Sequence, residues 1–110
     1  MSPVAPDSCR VVLCTCPDPD TAQRLAAGLV DQGFAACVNV VGGIRSIYRW
    51  QNEVHDEAET LMIIKTTQAR YRALEDWLRE NHPYEVPEVL ALPVAEGFGR
   101  YLDWVGAQTR

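Results

Sequence analysis

Apolar and polar residues alternate along this chain with two different periods. Cys9 to Thr15 reads Cys-Arg-Val-Val-Leu-Cys-Thr, a β-branched run too short for a helix, and it predicts a buried strand. Asp18-Pro19-Asp20-Thr21 then supplies a capping carboxylate and a first-turn proline. Ala22, Leu25, Ala26, Leu29 and Val30 follow at helical spacing and form one apolar stripe, with Gly33 placed for a left-handed cap. Ala35 to Trp50 is strand-like throughout and is interrupted only by Gly42-Gly43, which suits a bulge or bend. Gln51-Asn52-Glu53 reads as a hairpin tip, because Asn tolerates positive φ. Glu57 to Thr66 is the return strand.

Thr67 stands where it can cap a second helix, whose stripe is Tyr71, Leu74, Trp77 and Leu78. His82-Pro83 ends that helix, since the residue before proline resists helical geometry. Pro87 to Val94 is a short, proline-bounded strand suited to a sheet edge. Arg100 to Ala107 closes the chain as a helix with Tyr101, Leu102 and Val105 facing inward. The order βαββαβ plus a terminal helix defines an α+β, ferredoxin-like fold, an antiparallel sheet with its first two helices on one face. We expect one domain over residues 1–110, with residues 1–8 as a flexible lead.

One length stands out. Ala35 to Trp50, fully extended, spans roughly 50 Å at about 3.3 Å per residue. A compact chain of this size is only about 35 Å across, given a radius of gyration near ~13 Å. The hairpin should therefore overhang its own core, carrying Tyr48 and Trp50, and an exposed aromatic edge invites pairing in a closed ring of identical contacts.

Composition narrows the function. The 110 residues carry 15 acids against nine arginines and one lysine, Lys65, for a formal charge of −5. That balance repels phosphate backbones and anionic lipid, and no Lys or Arg cluster offers a stripe, so neither nucleic acid nor membrane is an expected partner. Met1 to Asp7 lacks the apolar core of a signal peptide, and no apolar run approaches the roughly 20 residues of a membrane helix. Four cysteines without an export signal are expected as reduced thiols in the cytoplasm.

The chemistry-bearing residues are few. Cys14 and Cys16 lie two apart on a strand, so both sulfurs share a face and could reach one soft metal ion, or simply pack as two small apolar side chains. Cys37 sits in an apolar strand and reads as core, and nothing near Cys9 suggests activation. His55, near the hairpin tip among acids, reads as a solvated surface residue. His82 opens His82-Pro83-Tyr84-Glu85-Val86-Pro87-Glu88, a segment stiffened by two prolines, and is either a binding group or a helix terminator. Ser46, Tyr48 and Trp50 alternate on one strand face as a core or interface ladder. Glu59, Lys65, Tyr84 and Glu88 are either charge pairs at a cleft or ordinary surface pairs. No phosphate loop, G-x-S-x-G or H-E-x-x-H is present. A Cys14–His82 dyad lacks a visible orienting group, so an enzyme is not expected.

Taken together, Cys14-Thr15-Cys16-Pro17-Asp18, Ala35-Ala36-Cys37-Val38-Asn39, Ser46-Ile47-Tyr48-Arg49-Trp50, Ile64-Lys65-Thr66, His82 to Glu88 and Tyr101-Leu102-Asp103-Trp104 resemble the CutA divalent-cation-tolerance family. The resemblance runs from about Val11 to the C-terminus. It implies a ferredoxin-like homotrimer joined through long β-hairpins, linked with tolerance of divalent cations and with copper (Cu2+ or Cu+) as the bound ion. The metal-ligand pattern it implies is a cysteine ending the first strand and a His-His pair before Pro-Tyr. Here the cysteine is Cys14 and the second histidine His82, while Asn81 holds the first histidine's place, so Cys16 is the candidate third ligand. Cys14 and His82 end different elements, and the expected site is therefore completed across a trimer interface. Asn52 stands where the family commonly has glycine. A second function follows from the family's likeness to PII-type signalling trimers, a small anion or nucleotide bound in clefts between subunits.

Overall fold

The computed structural model describes Ala5 and residues 8–109, so most of the expected flexible lead, residues 1–8, lies outside the described residues. In chain order the elements are β1 (Cys9–Cys16), α1 (Pro19–Asp31), β2 (Cys37–Trp50), β3 (Glu53–Thr67), α2 (Gln68–Asn81), β4 (Leu90–Pro93) and α3 (Gly99–Gln108). The sheet order is β2-β3-β1-β4 with every neighbouring pair antiparallel. This is the expected α+β, ferredoxin-like arrangement, and β4 does take an edge.

Local chemistry sets the helix ends. Asp18 accepts the Thr21 N–H at 2.7 Å, and Pro19 opens α1 where its missing N–H costs nothing. Gly33 closes it at φ 73°, with Gly33 N–H donating to the Val30 carbonyl and Phe34 N–H to that of Leu29, both at 3.0 Å. Thr67 occupies the cap position of α2, but its side chain makes no capping hydrogen bond.

Leu25 and Leu29 of α1 and Leu74 and Leu78 of α2 bury against Val12, Cys14, Cys16, Met62 and Ile64. Those β1 residues are all even-numbered, as alternation requires of one sheet face. Truncating any of these leucines to alanine costs about 2–5 kcal/mol by the usual core scale. Cys9 is odd-numbered, and with Ala36, Leu102 and Val105 it forms a second cluster under α3 on the opposite face.

Three expectations about inward residues change. Val30 of the α1 stripe is 45% exposed, and Tyr101 is 41% exposed and pairs instead with the Trp104 ring at 5.7 Å. Cys37 is only half-buried, because the sheet face it shares with Asn39 and Val41 is largely uncovered. On that face Leu13 pairs with Ile63 and Leu90, and Val41 with Leu61, while Val41, Leu90 and Leu92 remain exposed.

The hairpin overhangs as its length requires, and the molecule measures 50 × 26 × 22 Å. β3 begins at Glu53, four residues before the expected Glu57. β2 is bulged between Val41 and Ile44, where Gly43 takes φ 75°. At the tip Trp50 pairs with Glu53 around Gln51 (φ 50°) and Asn52 (φ 65°), the signature of a type I′ turn. Asn suits that conformation and Gln does not. Replacing Gln51-Asn52 by Asn-Gly should therefore raise the melting temperature by a few degrees, on the order of 1 kcal/mol, as calorimetry would show.

Candidate functional site

β1 ends where α2 ends. Register pairs Cys14 with Met62 and Cys16 with Thr60, which turns both sulfurs toward the helices. The helix α2 stops at His82, held extended at ψ 139° by the following proline, and its imidazole drops onto the end of β1. The ligand atoms of Cys14, Cys16 and His82 all lie within 4.8 Å of one another, and all three residues are buried. One chain thus brings together the residues expected to meet across an interface. The reason is topological: the β1–α1 turn and the C-terminus of α2 lie at the same end of the sheet.

The imidazole has a defined tautomer. Tyr84 N–H donates to Nδ1 at 3.1 Å, which leaves the proton on Nε2, and that N–H donates to the Thr15 carbonyl at 2.8 Å. Both ring nitrogens are therefore engaged, and the ring can ligate a metal only by releasing one of these bonds. The two thiols are not so tied. Cys14 makes one long contact, 3.8 Å, to the Thr15 carbonyl. The Cys14 thiol and, after it, the His82 ring hold Cys16 down to about 6, against the opposing effect of burial. The Cys16 sulfur in turn, with burial, pushes the Cys14 thiol up. The two thiols thus compete for one proton, and the contact between them favours the thiolate at Cys16 over Cys14. Burial pulls the His82 ring down, but the Cys16 sulfur and the Thr15 carbonyl outweigh it and the net shift is upward.

A soft ion with metal–sulfur bonds of about 2.3 Å places two sulfurs at most about 4.6 Å apart, so the thiol pair needs only a small adjustment to hold one. Cys14 and Cys16 are thus the pair that could hold such an ion, and His82 could join them only by releasing one of its backbone bonds. Asn81 stands outside the group, its amide donating to the Trp77 carbonyl at 2.8 Å on an exposed turn.

On the hairpin side a cleft of about 590 Å³ opens beside this cluster, bounded by Thr15, Tyr48, Trp50, Glu59, Tyr84 and Glu88 among others. Of the four residues read as cleft or surface pairs, Glu59, Tyr84 and Glu88 meet here. Lys65 does not: its ammonium donates to Asn39 Oδ1 on the open sheet face. Tyr84 donates its phenol to Glu59 Oε2 at 2.5 Å, and burial with that bond pushes the phenol up. His55 is less solvated than expected, its ring stacked on Tyr48 with centroids 5.2 Å apart. Cys9 and Cys37 stay away from the cluster. Sequence reasoning misses the Thr15 carbonyl and the Tyr84 amide as partners of His82, because backbone groups have no identity in a sequence.

A ferredoxin-like sheet with a long overhanging hairpin, and Cys14, Cys16 and His82 gathered at the end of its first strand, places the chain among small α+β proteins. The chain belongs to the CutA1 divalent ion tolerance protein family, whose sequence profile matches residues 10–108. It is 48% identical over 100 residues to the divalent-cation tolerance protein CutA of Thermus thermophilus, covering 91% of this chain and 97% of that protein. The solved structure of the divalent cation tolerance protein (Cut A1) from Thermus thermophilus superposes with a TM-score of 0.90 at 46% identity, covering 93% of this chain and 99% of that one. CutA from Xylella fastidiosa superposes with a TM-score of 0.91 at 33% identity, covering 94% and 99%.

Proposed function

We propose that this protein acts in divalent-cation tolerance by binding copper, as Cu+, between the sulfurs of Cys14 and Cys16 with His82 in support. The convergence of three soft-ligand atoms within 4.8 Å, in buried positions, carries the reading. It is a binding protein rather than an enzyme: the imidazole that would serve as a base is committed through both nitrogens to backbone groups. A shared pair of reduced thiols suits a reducing compartment, and we assign the chain to the cytoplasm. No described helix is long and apolar enough to cross a membrane. The charge of −5 disfavours nucleic acid.

Titration of Cu+ into reduced protein against a competing chelator tests this directly. One ion per chain is expected, and no uptake beyond that of a thiol-free control would end the reading. The pH dependence carries its own sign. Protons compete with the ion for sulfur, so affinity must rise with pH. The Cys14 thiol, pushed up, must give up its proton at any pH near neutral, and toward acid the slope should steepen as the Cys16 sulfur and the His82 ring take up protons as well.

We assign the chain to a homotrimer on two features, the 50 Å long axis created by the hairpin and the uncovered sheet face bearing Val41, Leu90 and Leu92. A closed ring covers both without open polymerisation. Sedimentation equilibrium should return three times the chain mass at micromolar concentration, and a stable monomer there would defeat the assignment.

A further inference from the structure

We infer that His82 is a positioning residue rather than a ligand: it locks the peptide between Cys14 and Cys16, and so makes the thiol pair a two-sulfur site selective for soft monovalent ions over divalent ones. This rests on the copper reading above and deepens it.

Backbone carbonyls alternate sides along a strand. Val94 N–H donates to the Cys9 carbonyl at 3.2 Å, so the odd-numbered carbonyls of β1 face the β4 edge. There β4 pairs with β1 only as far as Leu90, opposite Leu13. The Thr15 carbonyl, next on that side, is left without a strand partner and needs a donor from elsewhere. His82 supplies it, Nε2–H reaching that oxygen at 2.8 Å. The imidazole thus takes the place of a strand at the peptide joining Thr15 to Cys16. With that peptide held extended, a spacing of two keeps both sulfurs on one face. Freed, it would rotate and part them.

The ring is held from several sides. Pro83 keeps the His82 backbone extended at ψ 139°. Tyr84 N–H donates to Nδ1 at 3.1 Å, and the Tyr84 ring lies tilted against the imidazole with centroids 4.8 Å apart. Ligation through Nε2 would release the Thr15 carbonyl, and ligation through Nδ1 would strand the Tyr84 N–H. Each leaves a backbone group unpaired, which is costly away from water.

Selectivity follows from the ligand count. With the imidazole spent, the site offers two sulfurs, and among the described residues no further Cys, His or carboxylate joins the group. Thiolates favour Cu+, whereas Zn2+ takes four ligands. Both cysteines are fully buried, so water is poorly placed to complete the shell of a divalent ion. An ion served by two sulfurs, Cu+ or Ag+, is retained, and one that demands four is not.

The test uses intact, reduced protein. Cu+ is diamagnetic, so the nitrogen NMR spectrum of isotopically labelled imidazole can be read both metal-free and loaded. The same Nε2–H tautomer of His82 is expected in both states. His82→Gln places an amide N–H at the reach of Nε2 and offers no imidazole. It should hold Cu+ within about threefold of the parent, whereas His82→Ala should lose about 10- to 100-fold. Chelator competition should rank Cu+ and Ag+ at least about 100-fold above Zn2+. If neither variant folds, the spectrum and the ion series decide. No Cu+ uptake by the parent ends the copper reading and this inference with it. Uptake with a metal-bound ring nitrogen, a folded glutamine variant as weak as the alanine one, or Zn2+ held as tightly as Cu+ would each overturn this inference alone.

Discussion

Cys16→Ser should lower the affinity for Cu+ by at least about 100-fold, and Cys14→Ser should do the same. A hydroxyl is a hard, protonated oxygen at neutral pH and replaces a thiolate poorly on a soft ion. Each variant leaves one sulfur, and a single thiolate cannot hold the ion against a bidentate competitor. His82→Ala should cost less, about 10- to 100-fold, the usual range for a group that orients and supports ligands. Asn81→Ala should cost nothing, because its amide is spent on the Trp77 carbonyl. The measurement is chelator competition on reduced protein, with circular dichroism confirming each fold. A Cys14→Ser/Cys16→Ser double variant that binds as tightly as the parent would show that the ion sits elsewhere.

The second large effect lies in the helix pair. Gly28 of α1 faces the indole of Trp77 in α2, and a Cβ built on Gly28 would stand 2.6 Å from Cη2 and 2.7 Å from Cζ2. No carbon pair tolerates that approach, so any side chain at 28 must push a stiff, half-buried ring away from the core it packs against. Helix propensity alone would make Gly28→Ala stabilising by roughly 0.5–1 kcal/mol. Overpacking costs about 1–3 kcal/mol and should reverse the sign, giving a net loss of about 1–2 kcal/mol for Ala. The larger, β-branched Gly28→Val should lose about 3 kcal/mol or more. Placing Gly28→Ala in a Trp77→Leu background removes the clash and should return the propensity gain, a change of sign that denaturant melts can read. If Gly28→Ala stabilises the parent protein, the indole moves freely and the close packing is not a constraint.

Periodicity makes much of the fold legible because most elements cover the core with one face. The stripes of α1 and α2, the alternation in β1 and the Gly33 cap need no tertiary information. Periodicity fails where no core lies beneath. Glu53 to Glu57 pairs with β2 beyond the globular body, so its residues carry no apolar alternation, and pattern alone starts the strand four residues late. Tyr101 and Val30 sit at the margins of their stripes, where a helical wheel does not decide between core and solvent. At the site, the shared face of Cys14 and Cys16 is visible from a spacing of two. The arrival of His82 depends on where α2 ends over the sheet, a distance along the fold that no local pattern encodes. Glu59 is an even choice between cleft and surface from sequence, since burial of a carboxylate is a property of its neighbours.

The Cys-x-Cys pair has a thermodynamic consequence that its position in the folded chain conceals. The two thiols are only two residues apart, so the denatured chain can chelate an ion almost as readily as the native one does. His82 is different, since it reaches Thr15 across 67 residues and supports the thiols only when the chain is folded. A ligand that binds both states stabilises only by the ratio of its two affinities. Copper should therefore raise the melting temperature far less than its affinity alone would suggest, and the size of the rise should report the contribution of the histidine.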